Sequence, residues 1–172
     1  LPNGKEPAMR SQFPALARYN AWANRRLYDA CAGLTDTAYR QERGAFFGSV
    51  HRTLDHVLLV DRLWFGRIAG EPFPIASPAQ QLYECRSELR AAREEQDRQI
   101  VAAADAIPPE HLDRDLEYVT LEGGTRRTRL SLVLSEVFNH QTHHRGQVHV
   151  MLTQAGLKVP DLDLIEYLYS SG

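Results

Sequence analysis

Four of the seven histidines in this 172-residue chain, His140, His143, His144 and His149, fall within one short stretch. In a helix each residue advances about 100°, so His140 and His144 stack one turn apart and about 40° from each other. His144 lies inside the sector of Leu130, Leu134, Val137, Val148, Leu152 and Ala155, and His140 lies on its shoulder. Two imidazoles at i and i+4, turned toward an apolar interior, are a common way for one helix to offer two nitrogens to a metal. Buried without a shared partner, they would leave polar atoms unsatisfied. His143 and His149 fall outside the sector, on opposite flanks, and read as solvated or outer-layer residues. Two ligands make a weak site, and spacing does not choose a third. His51 and His56 both border apolar residues in one helical stretch, and His111 falls in an expected loop.

Other polar residues stand on apolar stripes. Asn20 and Asn24 lie one turn apart in the first helical pattern, and Asp61 lies among Leu54, Val57, Trp64 and Ile68. A buried carboxylate needs a donor or a cation. Hydrogen bonding between helices, Asn to Asp, accounts for them. So does a polar cavity around a metal and its substrate, with Asp61 as general base and Asn20, Asn24, Trp64 and Arg145 lining the walls. Arg25 and Arg26 are further candidates, beside Arg145, for binding a substrate carboxylate.

Four long helical patterns position these residues. The first runs from about Ser11, an N-cap candidate, to Leu34, and the second from about Ser49 to Ala69, closed by Gly70. The second is apolar nearly all round and is expected to be buried. Pro72 and Pro74 break the chain after it. A third helix is expected from about Pro78 to Ala106, with Leu82, Leu89, Ile100 and Ala103 facing in and its charged faces solvated. The period then changes to two. Leu116–Thr120 and Thr125–Arg129 flank Gly123-Gly124 and read as a small β-hairpin. The fourth helix runs from about Leu130 to Ala155 and ends at Gly156. The expected fold is all-α, a four-helix bundle with a hairpin between its third and fourth helices. The aromatic and apolar tail over Val159–Tyr169 is expected to pack on the bundle or on a second copy of it.

Composition narrows the function. The hydrophobic share is 43%, the charged share 24% and the net charge −2, ordinary for one globular domain and short of the cationic surplus of a nucleic-acid binder. Cys31 and Cys85 cannot supply a zinc finger or a disulfide framework, and both read as buried helical residues. No stretch approaches the roughly 20 apolar residues of a membrane span, and no secretory leader is evident, so a cytoplasmic location is the expectation. Residues 1–10 read as an N-terminal extension, with Met9 a candidate start, and residues 11–172 as a single domain.

These segments resemble a known family. Tyr19-Asn20-Ala21-Trp22-Ala23-Asn24, Phe46 to His51 with His56 to Asp61, and Asn139 to His149 are similar, in this order, to signatures of the DinB/YfiT-like metalloenzymes. The resemblance covers roughly Phe13 to Tyr169. It implies an up-down-down-up four-helix bundle, often dimeric, and a divalent metal held by His56, His140 and His144. It thereby selects His56 over His51. Relatives include S-transferases and isomerases that use low-molecular-weight thiols. The implied activity is therefore metal-dependent attack by a small thiol on an electrophile, with zinc first and nickel, manganese or iron as alternatives. The rivals are metal-dependent hydrolysis with Asp61 as base, and a non-enzymatic metal-binding protein of a stress response. The expected partners are a small thiol, an electrophilic substrate and a second copy of the chain.

Overall fold

The computed structural model describes residues 12–170; the expected extension over 1–10 and the Ser11 cap lie outside them. Four long helices form the body: α1 (Gln12–Cys31), α3 (Val50–Ala69), α4 (Arg86–Ala106) and α5 (Leu130–Gln154). Two short ones, α2 (Asp36–Arg40) and α6 (Leu164–Ser170), follow α1 and close the chain. Strands β1 (Asp115–Val119) and β2 (Thr125–Arg129) pair antiparallel between α4 and α5, turning at Gly123 with φ 84°. The all-α bundle with its inserted hairpin is thus as expected. No helix among the described residues is long and apolar enough to cross a membrane.

Local chemistry sets the ends. Ser49 Oγ accepts from the Arg52 amide to cap α3, and Gly70 ends it in the left-handed region at φ 77°. The first helix is shorter than its pattern predicts. It stops at Cys31, the chain turns, and Thr35 caps the separate helix α2. The third helix begins at Arg86 and not at Pro78, because the backbone of the connector before it is otherwise engaged. Leu82 and Tyr83 amides donate to the Asp55 carboxylate, and the carbonyls of Tyr83 and Pro78 bond His51 and His56. Cys85 is consequently an exposed residue at the N-terminus of α4, contrary to the buried helical position expected of it, whereas Cys31 is buried.

Those connector contacts also establish direction. Pro78 meets His56 and Tyr83 meets His51, so the chain retraces α3 before α4 starts beside the head of α3. Helices α3 and α4 therefore run parallel. Between α1 and α4 the order reverses: Arg18 pairs with Asp105, Asn24 with Asp97 and Asp29 with Arg90. The bundle is up, down, down, up, with α1 and α3 each touching both α4 and α5.

The core is divided along the axis. One apolar cluster gathers Leu27, Tyr39, Leu54, Leu58, Leu89 and Leu152; the other gathers Phe13, Phe65, Ile100, Leu134 and Phe138. Between them lies a buried polar layer of Asn20, Asn24, Asp61, Arg93, Asp97, Gln141 and Arg145. The charged faces of α4 are thus not all solvated, as the sequence suggested: Arg93, Gln96 and Asp97 are buried. The tail folds back on the bundle, where Tyr19 Oη donates to the Leu162 carbonyl and Tyr167 packs on Tyr19 and Trp22.

Candidate metal centre

Helix α3 presents His56, and α5 presents His140 and His144. One ring nitrogen from each lies within 4.8 Å of the others. The Nε2 atoms of His56 and His140 are 3.1 Å apart. Neighbouring nitrogens around a tetrahedral zinc stand about 3.3 Å apart at zinc–nitrogen bonds of about 2.0–2.1 Å. The separation therefore suits two ligands of one small cation.

The outer nitrogens decide which inner ones are bare. The Pro78 carbonyl, 2.8 Å from His56 Nδ1, can only accept, so Nδ1 carries the proton and Nε2 offers a lone pair. His144 Nδ1 donates to Gln147 Oε1 at 2.8 Å, which leaves its Nε2 bare likewise. The Gln147 amide in turn donates to His143 Nε2 at 3.1 Å. His143, exposed as expected, is thus tied to the site through one glutamine. His140 Nδ1 is buried without a partner among the described residues.

The imidazoles are kept neutral. Burial lowers His56 to about 4, with His144 adding to the fall, and burial lowers His140 to about 3, with His144, His56 and His143 contributing. Burial lowers His144 as well. Neutral imidazole is the ligating form. Bare nitrogens, neutral rings and this spacing are a donor set that fits a divalent cation.

Phe47 stacks on His56, with ring centroids 3.8 Å apart and planes at 22°, and approaches His144 at 5.6 Å. Its neighbour Phe46 is 85% exposed. Both stand on the loop before α3, closed by Gly48 at φ 79°, where a side chain would also meet the Glu42 carboxylate.

Of the other residues singled out, His51 is buried on its own bond to Tyr83, 2.8 Å away, and His111 is on the far side, beside α4. Asp61 is fully buried, paired with Arg93 Nη1 at 2.5 Å and accepting from Gln141. Burial lifts its carboxyl to about 6, while the Arg93 guanidinium holds it from rising further. Asn20 accepts from Arg145, and Asn24 donates to Asp97 at 3.1 Å. The bonding between helices foreseen for the asparagines is present, with Asp97 and Arg145 as partners. Arg145 is buried against these groups and the Tyr19 ring. Trp64 is half-buried on the flank of the bundle, edge-on to Tyr118 of the hairpin and under Arg67.

Arg93, Asp97 and Gln141 escaped the sequence reading. The signal was present: Arg93 and Gln96 fall four and seven residues after Leu89 and seven and four before Ile100, on the same inward stripe. Gln141 falls likewise, between Val137 and Arg145.

The DinB family model matches residues 9–171. Protein DinB of Bacillus subtilis (strain 168) is 31% identical over 159 residues, which cover 90% of this chain and 92% of that protein. Two crystal structures share the fold. A DinB-like protein of Bacillus cereus ATCC 10987 has a TM-score of 0.63 at 23% identity, over 84% of this chain and 91% of that one. A DinB-like protein of Bacillus subtilis has a TM-score of 0.63 at 17% identity, over 86% of this chain and 97% of that one.

Proposed function

We propose that this chain, which belongs to the DinB family, is a metal-dependent enzyme that brings a low-molecular-weight thiol to a small electrophile at His56, His140 and His144. The observation that carries the reading is the convergence of three neutral imidazoles, two of them with tautomers set by Pro78 and Gln147. A divalent cation there, zinc foremost and nickel, manganese or iron as alternatives, would keep a coordination position open and lower the pKa of a thiol or water brought to it.

The surrounding residues then have defined work. Pro78 and Gln147 orient the ligands, as outer partners of metal-bound histidines commonly do. Phe47 covers one face of His56 and excludes water from it. Arg145, Asn20, Asn24 and Gln141 brace the ligand-bearing turn of α5 against α1. Hydrolysis would need a general base beside the nucleophile. Asp61 is held by Arg93 and Gln141 within the polar layer, which favours a thiol over water and gives Asp61 a supporting task. A homodimer accompanies this reading, on the exposed Ile165, Leu168 and Tyr169 of α6.

Metal analysis of protein purified without added metal is expected to show one ion per chain, lost in His56→Ala and in His140→Ala. Undiminished metal in both variants would sink the site. With metal loaded, small thiols and a chromogenic electrophile should give thiol-dependent turnover that His144→Ala abolishes. Turnover without thiol would select the hydrolase instead, and metal without turnover across a broad panel would select a non-enzymatic metal binder.

A further inference from the structure

A cleft of about 850 Å³ lies between α3 and α4, and none of the three histidines lines it. Small-molecule sites commonly enclose roughly 300–1,000 Å³. Its existence follows from the topology. The start of the connector packs so closely on α3 that a Cβ at Gly66 would lie 2.7 Å from the Glu71 carbonyl oxygen, and this segment raises a rim beside the parallel helices. The floor is apolar, with Phe65, Ile68, Ala103 and Ile107 along it.

Two polar residues line the cleft beside this floor. Gln96 is only 5% exposed and lines the cleft, and its carboxamide has no hydrogen-bond partner among the described residues. Its amide is reached from the cleft, where a bound group can replace water as its partner. Arg62 sits at the same cleft, over the rings of Phe73 and Tyr83. It donates to Tyr83 Oη at 3.0 Å and pairs with no carboxylate among the described residues. Because Asp61 meets Arg93 across the two helices, Arg62 and Gln96 stand within about one turn of each other along the axis.

We propose that the α3–α4 cleft is a second binding site, for a small amphipathic monocarboxylate. Its carboxylate is received by the Arg62 guanidinium and the Gln96 amide, and its apolar body lies along Phe65, Ile68, Ala103 and Ile107. Arginine pairs well with the planar carboxylate. Glu71 and Glu95 on the rim exclude a polyanion. The run of α3 from Arg62 to Ala69 is about 10 Å, the length of a medium acyl chain.

Isothermal titration of the full chain with octanoate, and with uncharged octanamide, tests this. Octanoate is expected to bind one per chain and more tightly than octanamide. Arg62→Gln should weaken octanoate tenfold or more and leave octanamide within twofold. Ala103→Trp, which fills the floor, should abolish both. Should that variant fold poorly, amide spectra of the native chain serve instead, with the Gln96 side-chain signals expected to move on octanoate addition. Absence of octanoate binding at millimolar concentration would overturn the proposal. So would equal losses for both ligands in Arg62→Gln, shifts confined to the histidine site, or an Ala103→Trp variant that changes only the oligomeric state.

Discussion

Replacing Arg93 by Met tests the claim that a buried cluster of paired charges holds the four helices in register. Arg93 is 2% exposed and Asp61 0%, and the same guanidinium reaches Asp97 at 2.8 Å. Removing one partner of a buried pair typically costs about 3–5 kcal/mol, because the remaining charge stays in the core uncompensated. Methionine fills much of the volume, so the loss is electrostatic and not a cavity effect. For a domain of this size the midpoint of thermal unfolding should fall by about 6–20 °C, at about 2–4 °C per kcal/mol. Asp61→Asn leaves Arg93 with Asp97 and should cost less, about 1–3 kcal/mol. The double variant should be more stable than the sum of the two losses implies, by at least about 0.5 kcal/mol, since its Asn is no orphaned charge. The sign with pH is also set. Without Arg93 the Asp61 carboxyl rises beyond about 6, and once protonated it is no buried charge, so the deficit should be larger at pH 8 than at pH 5. Urea unfolding of metal-free protein at both pH values measures all of this. A loss below about 1 kcal/mol in Arg93→Met, or strict additivity in the cycle, would refute the reasoning.

Metal-free protein should lose stability as pH falls from about 6.5 toward 4. His56 and His140 titrate near 4 and 3 when folded against 6.5 when free, and His51 and His144 are lowered too, so the unfolded chain takes up protons first. Asp61, raised to about 6, acts oppositely between about 4 and 6, but it is one group against four. A urea midpoint that is flat or rising from pH 7.5 to 5 would contradict this. Gln147→Leu removes the acceptor of His144 Nδ1 and should weaken metal binding about tenfold in chelator competition, with little change in fold stability. Gly66→Ala should gain about 0.5–1 kcal/mol of helix propensity yet lose about 1–3 to the Glu71 and Phe73 backbone atoms, for a net destabilisation visible in urea.

Periodicity alone located four long helices, the hairpin and the inward pair His140 and His144, because each rests on a stripe that one element carries by itself. His56 needed the resemblance to distinguish it from His51, since both are buried on α3 and differ only in what faces them. Tyr83 faces one, and Pro78 and the α5 histidines face the other. The polar layer was half legible. Asn20, Asn24 and Asp61 interrupt apolar stripes and stand out, but α4 carries so many charges that Arg93 and Asp97 are hidden among solvated neighbours. The false start of the third helix at Pro78 has a related cause. Leu82 keeps the helical spacing and does pack on the core, but from a connector whose hydrogen bonds are spent on α3 side chains.

That connector links topology to chemistry. Two helices that follow each other in sequence and run parallel cannot be joined by a tight turn, so the chain must travel back along the first. Here the return path lies against the face of α3 that carries His51, Asp55 and His56, and its backbone bonds all three. An antiparallel pair with a short loop would leave Asp55 buried without donors and His56 free to adopt either tautomer. The carbonyl that leaves His56 Nε2 bare therefore comes from the parallel arrangement of α3 and α4. By the same arrangement the connector clamps Gly66 and walls the cleft beside Arg62. The three histidines and the α3–α4 cleft thus lie along one return segment, Glu71–Cys85, and its displacement from α3 would disturb both at once.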